Sequence, residues 1–128
     1  MRDITDQKIT SVRAEAVLTT SYVAGTVLTQ TRIYNQLLVL VNFTIGSLTS
    51  MEVRVEFSND NSTFYQEVID AANSLSQFTS SLGDRTFTAT GNYRIAVPIA
   101  DNFIRISVKG TGTVTDSLCT VDAVLART

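Results

Sequence analysis

The stretch MEVRVEFS, residues 51–58, alternates strictly between apolar and polar side chains. Its odd-numbered residues are all apolar, and its even-numbered residues are all polar. Because successive side chains of a strand point to opposite faces, this pattern predicts a strand with one buried face and one solvated face. Repeated strands of this kind in a short chain are typical of a β-sandwich or a barrel.

Other segments of the chain also have strand character. Residues 36–44 are the most apolar, and their uninterrupted apolar run at 37–41 predicts a central strand covered on both faces. The turn-forming residues 59–62 predict a hairpin over residues 51–69. Pro98 favours an edge position for its strand, because proline cannot donate a ladder hydrogen bond. The remaining predicted strands span residues 12–18, 22–29, 85–89, 93–99, 103–109 and 118–126.

These segments define the predicted fold class and domain organisation. A chain of 128 residues is long enough for one two-layer core and too short for two. Eight or nine strands without a long helix predict an all-β fold, a single antiparallel β-sandwich of the jelly-roll type. We expect this sandwich to occupy residues 11–128. Residues 71–84 are rich in serine and predict a long loop with one short helical turn.

Residues 1–10 follow neither the strand period nor the helix period. They are polar except for Met1 and the isolated Ile4 and Ile9. We expect an extended N-terminal arm, which either docks on a neighbouring molecule or frays as an ordinary terminus. Ile4 and Ile9 are therefore candidate interface residues.

The charge and hydropathy of the chain narrow the classes of partner. A formal net charge of −2, with scattered lysines and arginines, argues against nucleic acid as a partner. No apolar run approaches the roughly 20 residues that a helix needs to cross a bilayer, so we expect no membrane partner. The opening MRDITDQKIT has no apolar core segment, and we expect no signal peptide.

The residues available for chemistry favour a protein that is not an enzyme. Histidine is absent, which rules out Ser-His-Asp and Cys-His arrangements. Glu52 and Glu56 share a strand face with Arg54 between them, a pattern typical of a solvated, self-neutralising surface. Cys119, the only cysteine, lies in an apolar alternation and is interpreted as a small buried side chain. We expect no catalytic residues, no cofactor and no metal site.

Tyr65 directly follows the turn at residues 59–62 and is the best candidate for a surface aromatic side chain. The favoured interpretation of its side chain is nevertheless packing in the core or within the hairpin, with surface exposure as the alternative. If it is exposed, it joins Ile4 and Ile9 as a candidate interface residue.

Two longer stretches resemble a known group of proteins. They are SLTSMEVRVEFSNDNSTFYQE (47–67) and VPIADNFIRISVKGTGTVTDSLCTVDAVLA (97–126). In their succession of strand, Asn/Asp turn, aromatic residue and Gly-Thr tip they resemble small virion proteins of tailed bacteriophages. Those proteins are single β-sandwich or jelly-roll units that decorate or reinforce the head, or sit at the neck or tail. The same texture is similar to discoidin-like and other carbohydrate-binding sandwiches.

The resemblance implies a structural virion protein, a capsid decoration or auxiliary subunit that acts by symmetric assembly and lattice binding. The implied partners are copies of the chain itself, with a trimer as one option, and the major capsid protein or another virion protein. Such a protein is made in the host cytoplasm and resides in the virion. The alternatives are a neck or tail component, or a carbohydrate-binding module that would bind a glycan through exposed aromatic side chains. The lack of tryptophan counts against the glycan alternative.

Overall fold

The computed structural model describes residues 6–66, 68–71, 79–82 and 84–127. Within these residues the chain forms strands and one 3₁₀ turn, Thr31–Ile33, and no helix is long and apolar enough to cross a membrane. The strands are β1 (Asp6–Ala16), β2 (Val23–Ala24), β3 (Leu28–Thr29), β4 (Gln36–Thr44), β5 (Leu48–Ser58), β6 (Tyr65–Gln66), β7 (Val68–Ala71), β8 (Thr79–Leu82), β9 (Arg85–Phe87), β10 (Gly91–Pro98), β11 (Phe103–Gly112) and β12 (Leu118–Arg127).

The strands form two antiparallel sheets that pack against each other as a β-sandwich. A four-stranded sheet has the order β1-β12-β4-β10. A six-stranded sheet has the order β2-β11-β5-β6, with β3 added to β11 and β9 added to β5, and β7 pairs with β8 separately. If β2 and β3 are taken as two pieces of one strand, and β6 and β9 as two pieces of another, consecutive strands of the sandwich alternate between the two sheets except at β5, which pairs with the β6/β9 strand in the six-stranded sheet. This is the order of a jelly roll. The predicted all-β sandwich is confirmed.

The core lies between the inner faces of the two sheets. Alternate residues of the long strands point into it, as the period of a strand requires. The largest fully buried side chains are those of Leu18, Leu37, Val39, Val41, Phe43, Met51, Val53, Val55, Val97, Ile104, Ile106 and Leu125. The strand predicted at 51–58 is confirmed, with its first three apolar side chains buried and its charged side chains half-buried on the outer face.

Strand β4 differs from its prediction on one face. It lies between β12 and β10, so its central position is confirmed. Its inner residues are buried, but among its outer residues Leu38 is only half-buried and Leu40 is 37% exposed. The expected cover on both faces is therefore wrong for the described part of the chain. The apolar run reflects leucines that face outward without a layer above them.

The hairpin predicted over residues 51–69 is shorter than expected. Its return strand is only β6, in which Tyr65 pairs with Phe57 and Gln66 pairs with Glu56. The first half of β5 pairs with β9 instead, so the chain beyond β6 is free to form the separate β7–β8 pair. Strand β8 of that pair lies within the segment predicted as a loop, 71–84, so the loop prediction is wrong at 79–82. The short helical turn expected somewhere within 71–84 is not seen in the described residues of that segment, 71, 79–82 and 84.

Strand β1 begins earlier than the alternation of the sequence predicts. It starts at Asp6 and pairs with β12 from there, so residues 6–10 of the expected arm lie in the four-stranded sheet. This strand is an edge whose side chains are mostly exposed, and the ladder forms without an apolar-polar alternation. The register shifts on either side of Arg13. In the segment predicted as a strand at 12–18, only Val12 and Leu18 are therefore buried. Ile4 lies outside the described residues.

Two further interpretations agree with the structure. Strand β10 is an edge of the four-stranded sheet and ends at Pro98, as the proline predicts. Cys119 is fully buried, directly opposite Phe43. Burial raises the pKa of its thiol to about 11, although the nearby positive charge of Arg13 acts in the opposite direction.

Candidate interface surfaces

The predicted interface residues that the structure describes lie in different sheets. Ile9, on the edge strand β1, is 69% exposed. Tyr65, on β6 of the other sheet, is 70% exposed. The structure therefore does not bring them together in one sheet, and each belongs to a separate surface of the sandwich.

Ile9 belongs to an apolar row on the outer face of the four-stranded sheet. It pairs with Val124, which pairs with Leu38, which in turn pairs with Ala96. Directly paired residues of antiparallel strands point to the same face. These four side chains, which we call the outer apolar row, thus cross all four strands of the sheet. Val124 is buried, and the other three are half-buried or exposed.

The next row on the same face is mixed in character. Leu40 lies at its centre, with Arg94 beside it on β10 and Asp122 beside it on β12. We call these three residues the charged row. Among the described residues, neither the Arg94 side chain nor the Asp122 side chain has an ion pair or a hydrogen bond. A shallow cavity of about 330 Å³ lies next to this row, and its lining includes Leu40, Asn42, Asn92, Arg94, Thr120 and Asp122.

The outer face of the six-stranded sheet is organised around Tyr22, from the loop before β2. The guanidinium of Arg54 lies 4.0 Å from the centre of its ring, and the Lys109 ammonium lies 5.1 Å from it. Arg54 also donates two hydrogen bonds of 3.0 Å to the Asp84 carboxylate, which accepts a third from Gln66 at 2.8 Å. Such cation–π and bidentate contacts hold the charges of this face in fixed positions.

The Tyr22 hydroxyl is buried at this cluster and has no hydrogen-bond partner among the described residues. Burial raises the pKa of the phenol, and the neighbouring Asp84 carboxylate acts in the same direction. The phenol therefore stays neutral, and the cluster fastens the loop that carries Tyr22 to the sheet.

The remaining outer carboxylates of this sheet also have partners. Arg105 donates a hydrogen bond of 3.1 Å to Glu56 and lies 4.1 Å from the centre of the Phe64 ring. Glu52 accepts hydrogen bonds from the hydroxyls of Ser50 and Thr111. Arg54 makes its ion pair with Asp84, and the hydrogen-bond partners of Glu52 and Glu56 are Ser50 on the same strand and Thr111 and Arg105 on β11.

Acid should weaken the Arg54–Asp84 pair. The hydrogen bonds from Arg54 lower the pKa of Asp84 below its usual range. A depressed carboxyl pKa stabilises the fold above the unfolded value, about 3.9, and this stabilisation is lost as the pH falls through the folded value. We expect Asp84→Asn to cost about 1–2 kcal/mol at pH 7 and less at low pH, since both groups are partly exposed.

Urea denaturation of both proteins at pH 7 and below pH 3 measures this difference. Glu15→Gln, at an exposed position on β1, is the matched control and should leave the free energy of unfolding nearly unchanged at both pH values. A cost of Asp84→Asn that does not shrink on acidification would contradict the assigned pairing.

Tyr65 lies beside a corner built from hydrogen bonds. The Asp60 carboxylate accepts bonds from the backbone amides of Ser62 and Thr63, both at 2.9 Å, which lowers its pKa. Asn59 ties the corner to the loop before β11 through a bond of 2.9 Å to Asp101. A shallow cavity of about 290 Å³ is lined by Asn59, Asp60, Thr63 and Tyr65. The exposed ring thus stands next to fixed polar groups.

The periodicity of the sequence does not predict two of these features. Tyr22 has no periodic signal, because it lies in a loop whose contacts come from β5, β11 and the residue before β9. Arg94 and Asp122 become neighbours of Leu40 only through the register of the sheet. The signal that could have located this face is the apolar run at 37–41, which places leucines on both sides of one strand.

Within the described residues, no group of three or more histidine, cysteine, aspartate or glutamate side chains is placed to hold a metal ion. Comparison with models of protein families and with curated protein sequences finds no match to this chain.

Proposed function

We propose that this chain is a structural subunit of a tailed-bacteriophage virion, a capsid decoration or auxiliary protein that works by assembly. The observation that carries the proposal is the open outer face of the four-stranded sheet, where Leu40 and Ile9 meet solvent. Its jelly-roll topology also occurs in viral capsid and lectin domains. Fold alone does not decide function, so this likeness is support by analogy.

An exposed apolar sheet face favours association with another molecule. Apolar side chains that are exposed across a whole sheet have an unfavourable free energy of hydration. A neighbouring molecule that buries them removes this cost. Each large apolar side chain that becomes buried contributes about 1.5–3 kcal/mol. In a symmetric assembly the same contact is repeated in every copy, so modest interfaces of about 1,200–2,000 Å² can stabilise a lattice.

The partners that follow from the proposal are copies of this chain and the major capsid protein or another virion protein. A neck or tail component would use the same surfaces in the same way. The protein would be made in the host cytoplasm and incorporated into the particle there.

The test of this function is the composition of purified phage particles from the genome that encodes the chain. We expect peptides of the chain in the particles, with a copy number in fixed proportion to the major capsid protein, measured by quantitative mass spectrometry. Particles without the chain would overturn the proposal. A copy number near that of portal or tail proteins would assign it to the neck or tail.

Ile9 provides a residue-level test of assembly. Its side chain is exposed and the ladder of β1 uses only its backbone, so Ile9→Asp should leave the fold intact. We expect this change to weaken self-association or particle binding by at least about tenfold, because a buried apolar contact becomes a desolvated charge. Lys8→Gln, which makes the same change of −1 in charge at a neighbouring exposed position on β1, is the control. Equal effects of the two changes would assign the loss to charge alone.

A second candidate function is glycan binding at the corner around Tyr65. The observation that favours it is the 70% exposed tyrosine beside a cavity lined by Asn59, Asp60 and Thr63. An aromatic face with nearby amide and carboxylate groups can hold the apolar and hydroxyl surfaces of a sugar. A glycan array supports this candidate if a hit is lost in Tyr65→Ala and kept in Tyr65→Phe. An array without hits removes it.

A further inference from the structure

The two outer faces of the sandwich differ in how their charged side chains are paired. On the six-stranded sheet, Arg54 pairs with Asp84 and Arg105 pairs with Glu56. On the four-stranded sheet, the side chains of Arg94 and Asp122 have no hydrogen-bonding or ionic partner among the described residues. They flank Leu40 on the two neighbouring strands, about 10 Å apart across the sheet. This second face therefore presents one positive group, one apolar group and one negative group in a line.

The charged row is self-complementary, because its positive and negative groups lie on opposite sides of Leu40. A rotation of 180° about an axis that lies along β4 in the plane of the outer face exchanges the positions of β10 and β12. Arg94 of one copy then lies opposite Asp122 of the other, and Asp122 lies opposite Arg94. Leu40 meets its own counterpart at the axis. The rotation also places Ala96 of the outer apolar row opposite Val124, so apolar residues meet apolar residues.

From this self-complementarity we propose that the outer face of the four-stranded sheet binds a second copy of this chain. The two sheets pack face to face around a twofold axis along β4, and reciprocal Arg94–Asp122 pairs lie on either side of Leu40. This inference rests on the proposed function, for which it names the surface and the partner. The predicted trimer is not what this face would form, because the arrangement closes with two copies.

The expected geometry follows from ordinary sheet packing. Facing sheets lie about 10 Å apart with strand directions within about 30° of each other. At that spacing the leucines are in contact and the longer arginine can reach the opposite carboxylate. The cavity beside Leu40 is lined by Asn42, Asn92 and Thr120, so the two copies would enclose water there, as interfaces commonly do.

Charge reversal tests the arrangement directly. Arg94→Asp places two carboxylates opposite each other twice in every dimer, and Asp122→Arg does the same with guanidinium groups. We expect each variant to raise the dimer dissociation constant at least about tenfold, measured by sedimentation equilibrium, because like charges in an interface repel. The double variant carrying both changes restores both pairs and should dimerise within about threefold of the unmodified protein.

A mixture of the two single variants gives the sharpest result. One partner then carries only negative groups at these positions and the other only positive groups, so both pairs reform in the heterodimer. We expect the mixture to dimerise although each variant alone does not, and native mass spectrometry identifies the heterodimer by its mass. Arg32→Asp, an exposed arginine on the 3₁₀ turn, makes the same change in charge elsewhere and should leave the dimer unchanged.

A second measurement does not depend on the charge variants folding. Leu40→Cys places a thiol at the axis, and a short bismaleimide should join two copies rapidly, whereas the buried Cys119 stays unreactive. Single variants that dimerise as the unmodified protein does, or a mixture that stays monomeric while the variants fold, would overturn the proposal. Those outcomes leave the proposed function standing, since it depends on the presence of the chain in virions. Absence from virions with an intact dimer would overturn the function alone.

Discussion

Replacing Phe43 with alanine should lower the free energy of unfolding by about 3–5 kcal/mol, the usual cost of removing a buried aromatic side chain. Phe43 is fully buried on the inner face of β4. Its direct partners on the neighbouring strands are Gly91 and Cys119, both small, so the ring fills space that its neighbours leave open. Because little side-chain volume surrounds the site within the sheet, we expect the cavity to collapse only in part.

Urea or thermal denaturation monitored by circular dichroism measures this effect. Thr44→Ala, the next residue on the same strand, faces solvent and should change the free energy of unfolding by no more than about 0.5 kcal/mol. Similar costs for Phe43→Ala and Thr44→Ala would mean that the inner face of β4 is not the core of a two-layer sandwich.

Gly46→Ala should destabilise the protein by about 2–4 kcal/mol, for two separate reasons. Gly46 forms the turn between β4 and β5 with a positive φ of 56°, which a residue with a Cβ atom adopts at a cost. A Cβ atom there would also lie 2.5 Å from the backbone oxygen of Asp116. The carboxylate of Asp116 binds the amide and hydroxyl of Ser47, so the two loops cannot simply move apart.

Asn61→Ala separates the two causes. Asn61 also has a positive φ, 57°, but it lies in an exposed turn. We expect a cost of about 1 kcal/mol at that position, from the backbone conformation alone. If Gly46→Ala costs no more than Asn61→Ala in the same denaturation experiment, the close approach of the turn to Asp116 has no energetic role.

The predictions from sequence succeed where one strand faces one core. The alternation at 51–58 specifies its own buried and solvated faces, and the edge position of Pro98 follows from the chemistry of a single residue. Cys119 likewise lies where its apolar neighbours predict. These properties are local, because the two faces of a strand are set by its own side chains.

The errors arise where a strand's environment depends on its neighbours. Residues 6–10 form an edge strand without alternation, because β12 supplies the hydrogen-bonding partner and neither face of β1 must be buried throughout. The return strand of the hairpin ends at Gln66, because β9 competes for the rest of β5. Neither the pairing of β1 with β12 nor the competition between β6 and β9 can be predicted from the local apolar-polar pattern of the sequence.

The surface features also divide into those that depend on local sequence and those that depend on neighbouring strands. Tyr65 is exposed beside its turn, so the favoured interpretation of core or hairpin packing is wrong, whereas an apolar Ile9 within polar residues is visible in the sequence itself. The charged row of Arg94, Leu40 and Asp122 is assembled from three strands that are distant along the chain. Its composition depends on register, and a shift of one residue in β10 or β12 would place different side chains beside Leu40.

The measurement that bears most directly on assembly through the open face is the mass of the unmodified protein by sedimentation equilibrium, from about 1 µM to about 1 mM. We expect the mass to rise with concentration towards twice the 14.0 kDa of a single chain. A mass of 14.0 kDa across the whole range would contradict assembly of two copies through this face, because the outer apolar row and the charged row would then have no partner copy.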